Sequence, residues 1–272
     1  MKKILVAIDF SDASRKAEEY AASLAKLFNA EIHLLHAYYI PTPIGDAPGY
    51  LPLSMTDVQI ENEAELQQEI EYLTGQYHIN VAGYIKMGLA SGVIKDLAAE
   101  IGADLLVMGM KGVGKTGGIF GSTVISCIRK TQLPLLVIPE KMDFSPILHI
   151  TFAADFANNV KIKGLGILEV LREQFNADIQ IIHVQKDIDK MNIGEVAGKI
   201  STDILFSEVK HSFHTIENAD IEKGINEFIS ENPTDMLVMV SHQHNLFERL
   251  FNSSHTRLIA YQTQVPLLVL HD

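Results

Sequence analysis

Phe28-Asn29-Ala30-Glu31-Ile32-His33-Leu34-Leu35-His36 returns 147 positions later as Phe175-Asn176-Ala177-Asp178-Ile179-Gln180-Ile181-Ile182-His183. Two more pairs follow in the same order. Asp104-Leu105-Leu106-Val107-Met108-Gly109 returns as Asp235-Met236-Leu237-Val238-Met239-Val240, and Pro134-Leu135-Leu136-Val137 returns as Pro266-Leu267-Leu268-Val269. Their offsets are 131 and 132 residues. Chance does not preserve order and offset together. A unit of about 135 residues is too long for a solenoid repeat and has the size of one domain. The 272-residue chain is therefore predicted to hold two copies of one unit, residues 1–141 and 142–272.

Around these stretches, each copy alternates strand and helix patterns. Ile4–Ile8 is a short apolar run of the kind that forms a buried strand. Over 14–28, Ala17, Tyr20, Ala21, Leu24, Leu27 and Phe28 recur at helical spacing, and Ser11 and Asp12 ahead of them are helix-capping types. Strands follow at 32–36, 81–87, 105–108 and 135–138, with helices at 57–77, 93–101 and 122–131. Pro41, Pro43, Pro48 and Pro52 mark 39–56 as a loop. The second copy repeats the order, with strands at 147–152, 179–184, 209–213, 236–240 and 267–270 and helices at 161–175, 193–205, 221–229 and 255–262. The βαβ alternation predicts an α/β fold, a doubly wound parallel sheet with helices on both faces. Ligands of such sheets bind beyond the carboxyl ends of the strands, at the switch point of strand order.

Composition narrows the function. The net charge is −12, a field that disfavours nucleic acid and anionic membranes. No run approaches the ~18 apolar residues of a membrane span. Met1-Lys2-Lys3 imitates the front of a signal peptide, but the apolar run behind it is shorter than the ~7–15 residues such a peptide needs. The single cysteine, Cys127, excludes an internal disulfide and fits a reducing cytoplasm. The charge is unevenly shared. Residues 1–141 carry 12 basic and 16 acidic side chains, and residues 142–272 carry 10 and 18. Thirteen of the 18 glycines lie in the first copy.

Six of those glycines fall within the thirteen positions 109–121, between a strand and a helix. Glycine is costly unless the backbone needs positive φ or close approach. Such a loop can turn backbone N–H groups toward a phosphate. Ser122 and Thr123 add hydroxyls, and Lys111 and Lys115 add local positive charge. Gly109-Met110-Lys111-Gly112-Val113-Gly114-Lys115-Thr116 also fits the P-loop pattern, with Lys115 as its lysine. A P-loop leads its domain after the first strand, whereas this loop follows the fourth of five.

These features resemble the universal stress protein family in its tandem form. Members open with a strand ending in Asp followed by Ser, as in Ala7-Ile8-Asp9-Phe10-Ser11. Their fourth strand leads into G-x-x-G, nine residues and G-[ST], with a Pro before the last strand. Gly109-Met110-Lys111-Gly112, Gly121-Ser122 and Pro134 match, with eight residues in place of nine. The resemblance implies Rossmann-like domains of the adenine nucleotide alpha hydrolase type, each a five-stranded sheet of order 3-2-1-4-5. By the same resemblance, the ATP-binding members predict Asp9, Ala37, Met108, Gly109, Lys111, Gly112, Gly121, Ser122 and Thr123 as contacts for ATP, with or without Mg²⁺. Asp9 alternatively caps the helix over 14–28.

The matching stretch of the second copy, 240–254, has no glycine, and Asp155 sits about three residues late relative to Asp9. That copy is expected to have lost the site and to act as a pairing partner. The two are expected to pack face to face, with the Pro-Leu-Leu-Val strands as candidate contacts, in an internal pseudo-dimer that leaves room for a homodimer. His242 and His244, or His211 and His214, suggest a metal only weakly, because no further ligand completes either pair. Cys127 reads as core. No catalytic constellation is evident, so binding would be regulatory, with slow hydrolysis at most. A ligand-free interaction module and a Lys115-dependent NTPase are the competing readings.

Overall fold

The computed structural model describes residues 1–39, 55–110, 122–154, 162–185, 193–207, 209–241 and 265–272. The first copy runs β1 (Lys3–Ile8), α1 (Asp12–Phe28), β2 (Glu31–Tyr38), α2 (Met55–Tyr77), β3 (Val81–Met87), α3 (Ala90–Ile101), β4 (Leu105–Met110), α4 (Ser122–Lys130) and β5 (Leu135–Pro139). The second runs β6 (His149–Ala153), α5 (Leu165–Phe175), β7 (Asp178–Gln185), α6 (Ile193–Leu205), β8 (His211–Glu217), α7 (Ile221–Glu231), β9 (Met236–Ser241) and β10 (Leu267–His271). The helix expected over 255–262 lies outside the described residues.

Among the described residues, ten strands form one sheet of order β3-β2-β1-β4-β5-β10-β9-β6-β7-β8. Each half keeps the order 3-2-1-4-5, with every pairing inside a half parallel. The halves meet through β5 and β10, which pair antiparallel with Leu267 opposite Val137 and Val269 opposite Leu135. This differs from the expected face-to-face packing. The Pro-Leu-Leu-Val strands are the contact, but they meet edge to edge. Each would otherwise leave a row of unpaired backbone groups, and pairing satisfies both rows at once.

The side-chain alternation of the strands divides the core in two. Ile4, Val6, Leu136, Ile138, Leu268 and Leu270 face one layer, covered by α1, α2 and α5. Leu5, Leu135, Val137, Leu267 and Val269 face the other, under α3, α4 and α7. Both layers run through the β5–β10 seam without a break. Phe144, between the halves, packs edge-on against Tyr20 at 5.0 Å and lies 6.3 Å from Phe175. Gly164 of the second half lies so close to Pro134 that a Cβ there would come within 2.5 Å of the proline ring. His271 donates from Nε2 to the Leu133 carbonyl at 3.1 Å across the same seam.

Cys127 is fully buried on α4, and burial pushes its thiol up to about 12. It is a core residue and a poor nucleophile. His211 and His214 lie three apart on β8 and so point to opposite faces. His211 bonds Asp203 at 3.0 Å, while His214 packs against Phe228. Their geometry does not make a shared metal site. His242 and His244 lie outside the described residues. Among the described residues, no helix is long and apolar enough to cross a membrane.

Candidate functional site

In the order β3-β2-β1-β4-β5, the chain leaves β1 toward β2 on one side and returns to β4 on the other. The strand ends therefore splay at β1 and β4, and a cleft of about 380 Å³ opens there. Its floor is made by Ala7, Ile8 and Asp9 of β1 and its end, Leu35 and Ala37 of β2, and Met108 and Gly109 of β4. Its walls are the first turns of α1, α3 and α4, through Ser11, Ala13, Ser14, Ala90, Ile94, Thr123 and Val124.

Five of the nine predicted contacts thus converge: Asp9, Ala37, Met108, Gly109 and Thr123. Ser122 begins α4 but is exposed beside the cleft rather than part of its lining. Lys111, Gly112 and Gly121 lie outside the described residues, as does Lys115. The apolar spacing does not mark Ala90, because α3 starts three residues earlier than that spacing indicates. Its N-cap position is Leu89, which makes no side-chain cap bond to announce the start. Ser14 stands at the first position of the helix expected over 14–28, and its spacing alone does not mark it as cleft lining.

The β1–α1 corner is tightly held. Ser11, in extended conformation, caps α1 by accepting from the Ser14 N–H at 3.3 Å. Asp9 therefore does not cap the helix. Its Oδ1 accepts from the Ser11 N–H at 3.1 Å and from the Ser11 hydroxyl, fixing the residue that does. Phe10 between them has a φ of 58°, a conformation that side chains with a Cβ rarely adopt. It is held there by stacking on His36 at 4.5 Å, and the Nδ1 of His36 donates to the Ile8 carbonyl at 3.1 Å. Strain of this kind persists only where the surroundings over-determine it.

Gly109 has a packing reason of its own. A Cβ there would lie 2.1 Å from the Ala13 carbonyl oxygen and 2.5 Å from its carbon. Only glycine lets the first turn of α1 sit directly on β4. That approach sets the N-terminal end of α1, with its partial positive charge, against the cleft. Met108 is nearly buried and belongs to the core while its edge borders the cleft.

Two doubly wound halves in one continuous sheet, with a cleft at the switch point of the first, define a tandem α/β protein. The model of the "Universal stress protein family" matches residues 1–139 and again 149–271. The chain belongs to that family. The universal stress protein MJ0531 of Methanocaldococcus jannaschii is 28% identical over 143 residues, spanning 51% of this chain and 82% of that protein. The universal stress protein Slr1230 of Synechocystis is 23% identical and covers 98% of this chain and 99% of its own length. The crystal structure of a universal stress protein from Archaeoglobus fulgidus superposes with a TM-score of 0.73 at 20% identity, covering 98% of this chain and 97% of that one. Its two-domain fold is shared along the whole chain.

Proposed function

We propose that residues 1–141 bind ATP or a related adenine nucleotide in the cleft, and that residues 142–272 serve as the structural pairing partner. The observation that carries this reading is the convergence of Asp9, Ala37, Met108, Gly109 and Thr123 on one cleft. Its volume falls within the ~300–1,000 Å³ of small-molecule sites. The first turns of α1 and α4 offer backbone donors for an anion. Lys111, Gly112, Gly121 and Ser122 are assigned to the phosphates on the family pattern, with any Mg²⁺ held mainly by phosphate oxygens and water. On this reading binding serves regulation in a cytoplasmic stress response rather than fast turnover. Calorimetric titration of ATP with Mg²⁺ tests this. Heat is expected from the wild type and little from Gly112→Trp. No heat from the wild type, or equal heat from both, contradicts it.

A ligand-free interaction module is the second reading, and Gly109 favours it. The close approach of Ala13 requires that glycine with or without a ligand. A crystal soaked with ATP and showing an unchanged, empty cleft decides for it.

A further inference from the structure

The third and seventh residues of α1, stacked above one another, give a path from the cleft into the protein. Ser14 lines the cleft. One turn deeper on the same face of α1, Glu18 is only 1% exposed, and its Oε1 lies 3.0 Å from the Ser14 Oγ. The same Oγ accepts from the Asp9 N–H at 3.3 Å. The other carboxyl oxygen, Oε2, is buried with no hydrogen-bond partner among the described residues.

We propose that Glu18 is a positioning residue for the cleft, setting through Ser14 whether the cleft wall presents a hydroxyl donor or an acceptor to a bound nucleotide. This rests on the nucleotide reading above. An ionised Glu18 takes the Ser14 hydrogen, leaving only a lone pair of Oγ for the ligand. A neutral Glu18 places its own hydrogen on Oε1, the oxygen that has a partner, and donates it to Ser14 Oγ. The Ser14 hydrogen is then released toward the cleft, where phosphate and ribose oxygens accept it.

The surroundings favour the neutral form. From α1, Arg15 attracts a negative charge on Glu18 and Glu19 repels it; from α2, Glu69 repels it. Arg15 is already ion-paired with the buried Glu69, and Glu19 is engaged by Lys16 and Tyr72. Burial, followed by the charge of Glu69, pushes the Glu18 carboxyl up to about 8. Phosphate groups, with a last ionisation near ~6, are already fully charged there. A nucleotide that prefers the donor form of Ser14 therefore draws a proton onto Glu18 as it binds.

The test is calorimetric titration of the full chain with ATP and Mg²⁺ at pH 8, in two buffers of different ionisation heat. Wild type is expected to take up roughly half a proton per ATP bound, and Glu18→Gln to bind ATP with none. No uptake in a wild type that binds ATP, or equal uptake in both proteins, overturns the proposal. A nucleotide-free measurement separates it from the binding claim. The ¹³C shift of Ser14 Cβ in wild type is expected to titrate with a midpoint near pH 8. A flat Ser14 signal between pH 6 and 10 overturns the proposal even if ATP binds. A titrating signal without ATP binding supports the Glu18–Ser14 link and overturns the nucleotide reading alone.

Discussion

Gly109 near the end of β4 and Val240 near the end of β9 occupy the same place in the two halves, 131 residues apart. At Gly109, α1 starts four residues after β1 ends and runs for 17 residues against β4. At Val240, a nearly buried side chain fills the position, and α5 starts twelve residues after β6 ends and runs for only 11. One bond near the corner is shared. His36 donates to the Ile8 carbonyl, and His183 makes the same bond to Ala154 at 3.0 Å. Glycine at 109 lets the N-terminal turn of α1 close on the strand ends, and the cleft of the first half is built on that approach of backbone to backbone.

The largest effect is expected where the halves depend on each other. Leu268 is fully buried in β10 beside the seam. Leu268→Ala is expected to cost about 2–5 kcal/mol in urea unfolding, as buried leucine truncations do. A loss under about 1 kcal/mol would mean that the two halves do not share one core. Next comes the exchange of the distinguishing residue. Gly109→Val should cost about 1–3 kcal/mol by overpacking against Ala13 and should abolish ATP binding. Retained binding would show that the approach of α1 is not what builds the site.

A third prediction concerns pH. The folded protein holds Glu18 neutral up to about 8, whereas an unfolded carboxyl ionises near ~4.3. Between these values the unfolded chain binds fewer protons, so this group lowers stability as pH rises from about 4.3 to about 8, by at most ~1.4 kcal/mol per pH unit. Chemical unfolding of Glu18→Gln should lack that slope and be more stable than wild type at pH 8. A variant with the wild-type slope would show that another group carries it. The smallest expected effect is at the cap. Ser11→Ala should cost about 1 kcal/mol, measured as a shift in Tm, and should loosen Asp9, whose carboxylate it bonds.

Much of this was legible in the residues. The repeat, the strands and the Ser11 cap follow from apolar spacing and from side chains that announce a helix start. Asp9, Ala37 and the stretch 109–123 stand just after strands, where such sheets bind ligands, whereas Met108 is implied only by the family resemblance. Three features were not legible. Gly109 reads as a phosphate-facing glycine, but the contact that demands it is Ala13, nearly a hundred positions away in sequence. The seam reads as a contact between faces, because alternation marks which side chains are buried but not which strand edge is open. Glu18 reads as a polar residue within an amphipathic helix, and only tertiary packing against α2 shows that it is buried.

On the proposed reading one half binds a nucleotide and the other does not, and the stoichiometry of ATP binding to the full chain, read by equilibrium dialysis with Mg²⁺, decides it. One ATP per chain, lost in Gly112→Trp and retained in a variant altered at Val240, is the predicted result. Two per chain, none, or a single site that survives Gly112→Trp would contradict it.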